Sequence, residues 1–275
     1  MKSSTAKLII IVTFSIFAVW WLILQLFSEP SDFALELFSG LYGLTALFGG
    51  IIGIKISKKW GGWKSYLGRA LLMLSVGLLL QEFGQIAYSL YTLILHNEIP
   101  YPSIGDIGYF GAIPAFIYGT WLIGRTVNAK YSLKTLLSRL QALILPIVVV
   151  GGTYWYFLKD YSADGISPLV VILDHGYPIG PAIYISLAVI VFMSSRKYLS
   201  GLLRPAILAT LLALTFQYLT DFVFLYQNHN ETWVTAGFNE FMYLFAYFVM
   251  ALALIRFNSV LTKLSNNKED ADEPS

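Results

Sequence analysis

The chain has 275 residues, 57% of them hydrophobic and only 12% charged, with a mean hydropathy of +0.66. Soluble domains carry about 25% charged residues, so this composition belongs to an integral membrane protein. With no cysteine, a disulfide framework, a thiolate metal site and a cysteine nucleophile are all excluded.

Crossing the hydrocarbon core takes about 20 apolar residues. Eight stretches qualify, at 8–28, 33–54, 67–95, 105–125, 140–158, 168–195, 202–226 and 234–256. The predicted fold is therefore all-α: one polytopic membrane-embedded domain of eight transmembrane helices over 1–257. The polar segment 258–275 that follows is predicted to be a disordered cytoplasmic tail. The first stretch follows Lys2 and Lys7, is long for a signal-peptide core and lacks a small-x-small cleavage pattern. It reads as an uncleaved anchor.

Basic residues cluster in alternate loops. Lys2 and Lys7 precede the first span, Lys55, Lys58, Lys59, Lys64 and Arg69 separate the second from the third, and Arg125, Lys130, Lys134 and Arg139 separate the fourth from the fifth. Arg196, Lys197 and Arg204 follow the sixth, and Arg256, Lys263 and Lys268 follow the eighth. Only Lys159 falls on the other side, so 17 of the 18 basic residues share one face. Basic loops are cytoplasmic, which predicts a multi-pass protein of the cell membrane with both termini inside. One span more or fewer would scramble this alternation. The same face suits anionic lipid headgroups, and nothing in the chain asks for nucleic acid.

The spans differ in texture. The second carries Gly49 and Gly53 at small-x-x-x-small spacing, which favours close helix packing. Pro114 and Pro146 are predicted to kink the fourth and fifth spans. Gly176, Pro178, Gly180 and Pro181 are predicted to interrupt the sixth. Trp60 and Trp63 at one interface, with Trp155 and Trp233 at the other, have the character of anchors.

Acidic residues sort to the opposite side. Outside the tail, each Asp and Glu maps to an outer loop or the outer half of a span, with Glu36, Glu82, Asp106, Asp174, Asp221 and Glu240 within or at the ends of spans. Ionisable groups inside a membrane face the bundle interior and are functional candidates by default. Glu82, near the middle of the third span, is the strongest, and Gln81, Gln85, Gln217 and Asp221 are placed to face it. An acid-x-x-Tyr spacing recurs at Asp106/Tyr109, Asp174/Tyr177 and Glu240/Tyr243, which puts each pair on one helix face. The competing reading is structural: a carboxylate near a helix N-terminus caps free N–H groups, and the tyrosine anchors at the interface.

The third and fourth spans parallel the seventh and eighth. Gln81-x-x-x-Gln85 matches Gln217-x-x-x-Asp221, and Gly105-Asp106-x-x-Tyr109 matches Asn239-Glu240-x-x-Tyr243. This pattern would make a parallel repeat of helical hairpins, one way to build a transporter-like bundle.

The stretch Tyr101-Pro102-Ser103-Ile104-Gly105-Asp106-Ile107-Gly108-Tyr109 resembles a membrane sensor module found ahead of bacterial and archaeal diguanylate cyclases and histidine kinases. There a Tyr-Pro-Ser-x-x-Asp-x-x-Tyr stretch opens one helix, and a Tyr-Pro-x-Gly-Asp stretch opens another. The second stretch here is Tyr177-Pro178-Ile179-Gly180-Pro181, with proline in the acid's place. The chain is also similar to stand-alone membrane proteins that carry these stretches without an output domain. The resemblance implies extracytoplasmic sensing, with the signal passed to a cytoplasmic partner.

The expected function is thus a non-enzymatic sensory or ligand-binding module in the bilayer, taking a small extracytoplasmic ligand in an outward-facing acidic and aromatic cavity. Its candidate residues are Glu82, Gln85, Asp106, Tyr109, Asp174, Tyr177, Gln217, Asp221, Asn239 and Glu240. A proton- or cation-coupled transporter is the alternative. An intramembrane metal hydrolase is remote, because His96, His175 and His229 form no ligand spacing. A retinal protein is excluded by the lack of a mid-span lysine, and no cofactor is implied.

Overall fold

The computed structural model describes residues 3–26, 29–126, 136–195 and 202–272, and the regular elements among them are helices. They are α1 (Ser3–Leu26), α2 (Asp32–Leu41), α3 (Leu44–Lys59), α4 (Tyr66–Ser89), α5 (Gly105–Thr126), α6 (Leu136–Phe157), α7 (Pro168–Ser195), α8 (Arg204–His229) and α9 (Phe238–Asp272). Among the described residues, seven stretches are long and apolar enough to cross a membrane: α1, α2 with α3, α4 with its π-helical end, α5, and most of α7, α8 and α9. The stretch predicted at 140–158 lies in α6, whose apolar part Leu143–Phe157 is shorter.

Local chemistry starts the helices where the sequence marks them. Ser31 caps α2 by accepting from the Ala34 amide at 3.3 Å. Ser65 caps α4 by accepting from the Gly68 amide at 2.8 Å while donating to the Trp60 carbonyl. The turn before it needs Gly61, whose φ is +92°. Before α5, the Ser103 amide donates to Asp106 Oδ2 at 2.6 Å and the Gly105 amide to Ser103 Oγ at 3.1 Å. This is a reciprocal box with aspartate in the usual glutamate position.

Three elements differ from expectation. The second predicted span is two helices, because its hydrogen-bond ladder lapses at Tyr42–Gly43. The sixth is not interrupted: α7 runs through Pro178 and Pro181 as one helix. Gly176 and Gly180 on that helix lie against Phe110 and Ile113, so packing on α5 supports the backbone there. Finally, α9 stays helical to Asp272 and so includes most of the segment predicted to be disordered.

Glycines set the closest approaches. A side chain on Gly108 would strike the Leu80 carbonyl and the Gly84 amide, and one on Gly84 would strike the Tyr109 ring, so α4 and α5 meet at backbone distance. The predicted pair Gly49 and Gly53 packs α3 against Ala251 and Leu254 of α9. At the margin, α6 packs on α7 with Ile147, Val148 and Trp155 exposed.

Long-range bonds define the two ends of the bundle. At one end Ser3 meets Ser259 (2.9 Å), Lys59 donates to Asn258 (2.9 Å), Trp60 to the Phe257 carbonyl (3.2 Å) and Arg125 to Tyr66 (3.4 Å). At the other, Trp21 and Gln25 donate to the Ala236 carbonyl (2.9 and 3.1 Å), and Tyr101 and Tyr161 both reach Asp174. Among the described side chains, basic residues other than Lys159 mark the first end and the acids belong to the second half. Lys2, Lys130, Lys134, Arg196 and Lys197 lie outside the described residues, as do the side chains of Arg139 and Lys268.

Candidate functional site

The ten candidate residues fall into three connected groups in the half of the bundle away from the basic end. Glu82, Gln85, Gln217, Asn239 and Glu240 are buried, each no more than 4% exposed, and the other five are half-buried.

The first group joins α2, α4, α5 and α9. Tyr109 donates to Gln85 Oε1 at 3.0 Å, and Gln85 Nε2 donates to the Ser39 carbonyl. Ser39 Oγ donates to Glu240 Oε2 at 2.6 Å, and the same oxygen accepts from the Ala236 amide at 3.0 Å. Glu240 therefore does reach back toward the start of its own helix, as a capping acid would. Gln81 accepts from Tyr247 at 3.2 Å. Glu82 sits beside Gly43, with Oε2 buried and without a partner.

The second group joins α7, α8 and α9. Asp221 accepts from Tyr184 (2.6 Å), Gln217 (3.0 Å) and Tyr243 (3.1 Å). Asn239 donates to the Thr220 carbonyl at 3.0 Å, leaving its own Oδ1 buried without a partner. Gln217 and Asp221 were expected to face Glu82; they bond instead to each other and to two tyrosines. Helix α9 connects the groups by presenting Tyr243 to α8 and Tyr247 to α4, their rings 5.9 Å apart.

The third group lies in the first turns of α5 and α7, away from the basic end. Tyr177 donates to Asp106 Oδ1 at 2.5 Å, and Asp174 takes Tyr101 at 2.6 Å and Tyr161 at 2.7 Å. The Asp174 bond and burial push the Tyr161 hydroxyl up to about 12. Burial first, then the same carboxylate, raises Tyr101.

No acid-x-x-Tyr pair is bonded within itself. Each tyrosine leaves its own helix: Tyr109 for Gln85, Tyr177 for Asp106, Tyr243 for Asp221.

No family model, curated protein or solved structure matches the chain. The site's chemistry must therefore be read from its own atoms.

Those atoms make an acceptor-rich interior. Apart from Glu82, these carboxylates are bonded to tyrosine hydroxyls, amides and the hydroxyls of Ser39 and Ser103, and the one ion pair among the described residues is Lys159–Asp160 at 3.7 Å, in the loop between α6 and α7. No three His, Cys, Asp or Glu side chains come together as a metal cluster among the described residues. Two recesses open elsewhere. One of about 400 Å³ lies between α5 and α7, lined by Phe110, Ile113, Ile172 and His175. One of about 20 Å³ lies near Lys55, Lys59 and Asn258. Neither is lined by the carboxylates.

Ser39, Thr45, Tyr184 and Tyr247 are buried in this interior, and Tyr101 and Tyr161 reach Asp174 from the loops, although none was a candidate from the sequence. Tyr247 carried a signal, being one turn beyond Tyr243 on the same face. Ser39 carried none, since its partner Glu240 is 201 residues away.

Proposed function

We propose that the protein is an eight-span sensory or ligand-binding module, with α6 as the eighth span and the basic end in the cytoplasm. A small solute that offers hydrogen-bond donors, cationic or polyhydroxylated, enters the acid-and-tyrosine interior from the outer side. Occupancy changes the packing of α4 and α9, which a cytoplasmic partner reads. The observation that carries this reading is the set of buried oxygens without donors, Glu82 Oε2, Thr45 Oγ1 and Asn239 Oδ1, in a region built from acceptors. A buried acceptor left unmade costs about 1–3 kcal/mol, so a donor or cation arriving there is favoured. The shared pairing of Tyr109 with Gln85 and Tyr243 with Asp221 supports a parallel hairpin repeat.

Thermal unfolding of the detergent-solubilised protein in choline, putrescine and glucose tests the reading. Saturable stabilisation by one of them, lost in Glu82→Gln and unaccompanied by flux in proteoliposomes, is the expected result. Failure of these probes and of simple cations alike would remove it.

Transport is the second reading, favoured by the lapse between α2 and α3, since discontinuous helices line many transporter sites. Uptake driven by a pH gradient and abolished in Glu82→Gln would establish it in place of sensing.

A further inference from the structure

The basic end of the bundle carries positive charge that the neighbouring chain does not answer. No Asp or Glu occurs between Glu36 and Glu82 or between Asp106 and Asp160, so neither the turn before α4 nor the chain after α5 contains an acidic residue. The acids near the end of α9 begin at Glu269, about 16 Å further along the helix axis than Asn258, where α9 meets Lys59. The one ion pair among the described residues is Lys159–Asp160, at the other end.

Two arginines come together where α4 starts and α5 stops. Ser65 caps α4 and makes Tyr66 its first residue, which puts Arg69 three positions on and on the same face. Gly119 of α5 lies against Leu74 and the Ala70 carbonyl, and this approach carries the last turn of α5, with Arg125, to the start of α4. The guanidinium carbon of Arg69 is 5.0 Å from the centre of the Tyr66 ring, and that of Arg125 is 5.4 Å from the same centre. Arg125 also donates to the Tyr66 hydroxyl at 3.4 Å and stands 5.5 Å from the Trp121 ring. Both cations therefore lie within the span of one phospholipid headgroup.

A lone interfacial arginine extends its head into water. Arg69 instead folds over the Tyr66 ring, with its Nε buried and without a hydrogen-bond partner. It sits in the first turn of α4, where the free backbone amides disfavour a cation, and no acid accompanies it in that turn. The Tyr66 hydroxyl accepts from Arg125, which leaves its own proton to donate. Tyr66 and Trp121 are 45% and 43% exposed, so the cluster faces outward from the α4–α5 pair. Trp121 stacks on Tyr118, ring centres 5.6 Å apart, and this aromatic surface continues toward the apolar middle of α5.

We propose that Tyr66, Arg69 and Arg125 bind the phosphate of an anionic phospholipid where α4 and α5 meet the basic face of the membrane. Phosphate oxygens accept from Arg125 and from the Tyr66 hydroxyl, and Arg69 adds the second positive charge. The position selects a lipid over a soluble anion: an exposed tryptophan borders the site on the side of the spans, and basic pockets between membrane helices take anionic headgroups. The site stands apart from the acid-and-tyrosine interior and does not depend on the solute reading of it.

The test is thermal unfolding of the delipidated full chain in neutral detergent, titrated with phosphatidylglycerol, with phosphatidylcholine of the same acyl chains, and with inorganic phosphate. The expected result is a saturable rise in Tm with phosphatidylglycerol alone. Its half-saturating concentration should rise about tenfold in Arg125→Gln and Arg69→Gln, as for loss of a bond to a charged group, and less in Tyr66→Phe. It should be unchanged in Lys58→Gln, which removes an exposed charge at the same end. Should an arginine variant not fold, Tyr66→Phe compared with Lys58→Gln carries the test. Equal responses to the two lipids would overturn the site. So would a phosphatidylglycerol response that Lys58→Gln weakens as much as Arg125→Gln, the mark of diffuse surface charge. Equal stabilisation by inorganic phosphate, lost in the same variants, would overturn the lipid as occupant and give the site to a soluble anion.

Discussion

The Tyr177 hydroxyl lies 2.5 Å from Asp106 Oδ1 and ties α7 to the first turn of α5. The second oxygen of the same carboxylate holds the amide of Ser103 at 2.6 Å. One side chain thus closes a helix cap and a helix–helix contact at once. Tyr177→Phe should cost about 1.5–3 kcal/mol, the range for a hydrogen bond to a charged group. Asp106→Ala should cost more, because it also removes the cap, worth about another 0.5–2 kcal/mol. Chemical unfolding in mixed micelles measures both, and the double variant should fall short of their sum.

Alkaline pH should loosen the loops tied to Asp174. Asp174 and burial keep the Tyr161 proton on to about 12, against 10.0 for an ordinary tyrosine, and Tyr101 shifts in the same direction. Both hydroxyls bind their protons more tightly folded than unfolded. Their contribution to stability is therefore complete below pH 10 and is lost as pH rises through about 12. Ultraviolet titration should show these two tyrosines ionising late, and Asp174→Asn should bring Tyr161 back toward the usual value.

Glycines should separate into two classes. Gly108→Ala drives a methyl into the backbone of α4 and should destabilise by about 1–3 kcal/mol. Gly151→Ala and Gly152→Ala meet open space on α6 and should gain up to about 1 kcal/mol from helix propensity. Equal effects at Gly108 and Gly151 in unfolding measurements would contradict the close α4–α5 approach.

The native chain has no cysteine, so single cysteines report orientation directly. On the proposed topology Ser162→Cys, in the exposed loop before α7, should react with an impermeant maleimide on intact cells. Lys64→Cys, equally exposed at the basic end, should react only after the membrane is opened. The reverse labelling would invert the topology.

The sequence made seven long apolar helices, the capping of α5 and the burial of Glu82 legible, because each depends on neighbours within a few residues or on bulk hydropathy. The clustering of basic residues between particular helices was equally plain, since it is read directly along the chain. Cross-helix bonding was not. Acid-x-x-Tyr spacing suggests partners one turn apart, yet Tyr177 reaches Asp106 across 71 residues and Tyr109 reaches Gln85 across 24. Proline spacing in α7 likewise suggested a break, and only the seating of Phe110 and Ile113 against Gly176 and Gly180 explains its absence. The lapse at Tyr42–Gly43 was invisible because its supports, Gln85 and Ser89, lie on another helix.

The polar ties of α1 have a consequence for biogenesis. Trp21 bonds to a carbonyl 215 residues downstream, and Ser3 to a hydroxyl 256 residues downstream. Within this chain α1 is made well before the segments that hold it. The growing bundle must wait with one stave unfastened, and any truncation before residue 236 removes the long-range side-chain bonds that hold α1 among the described residues.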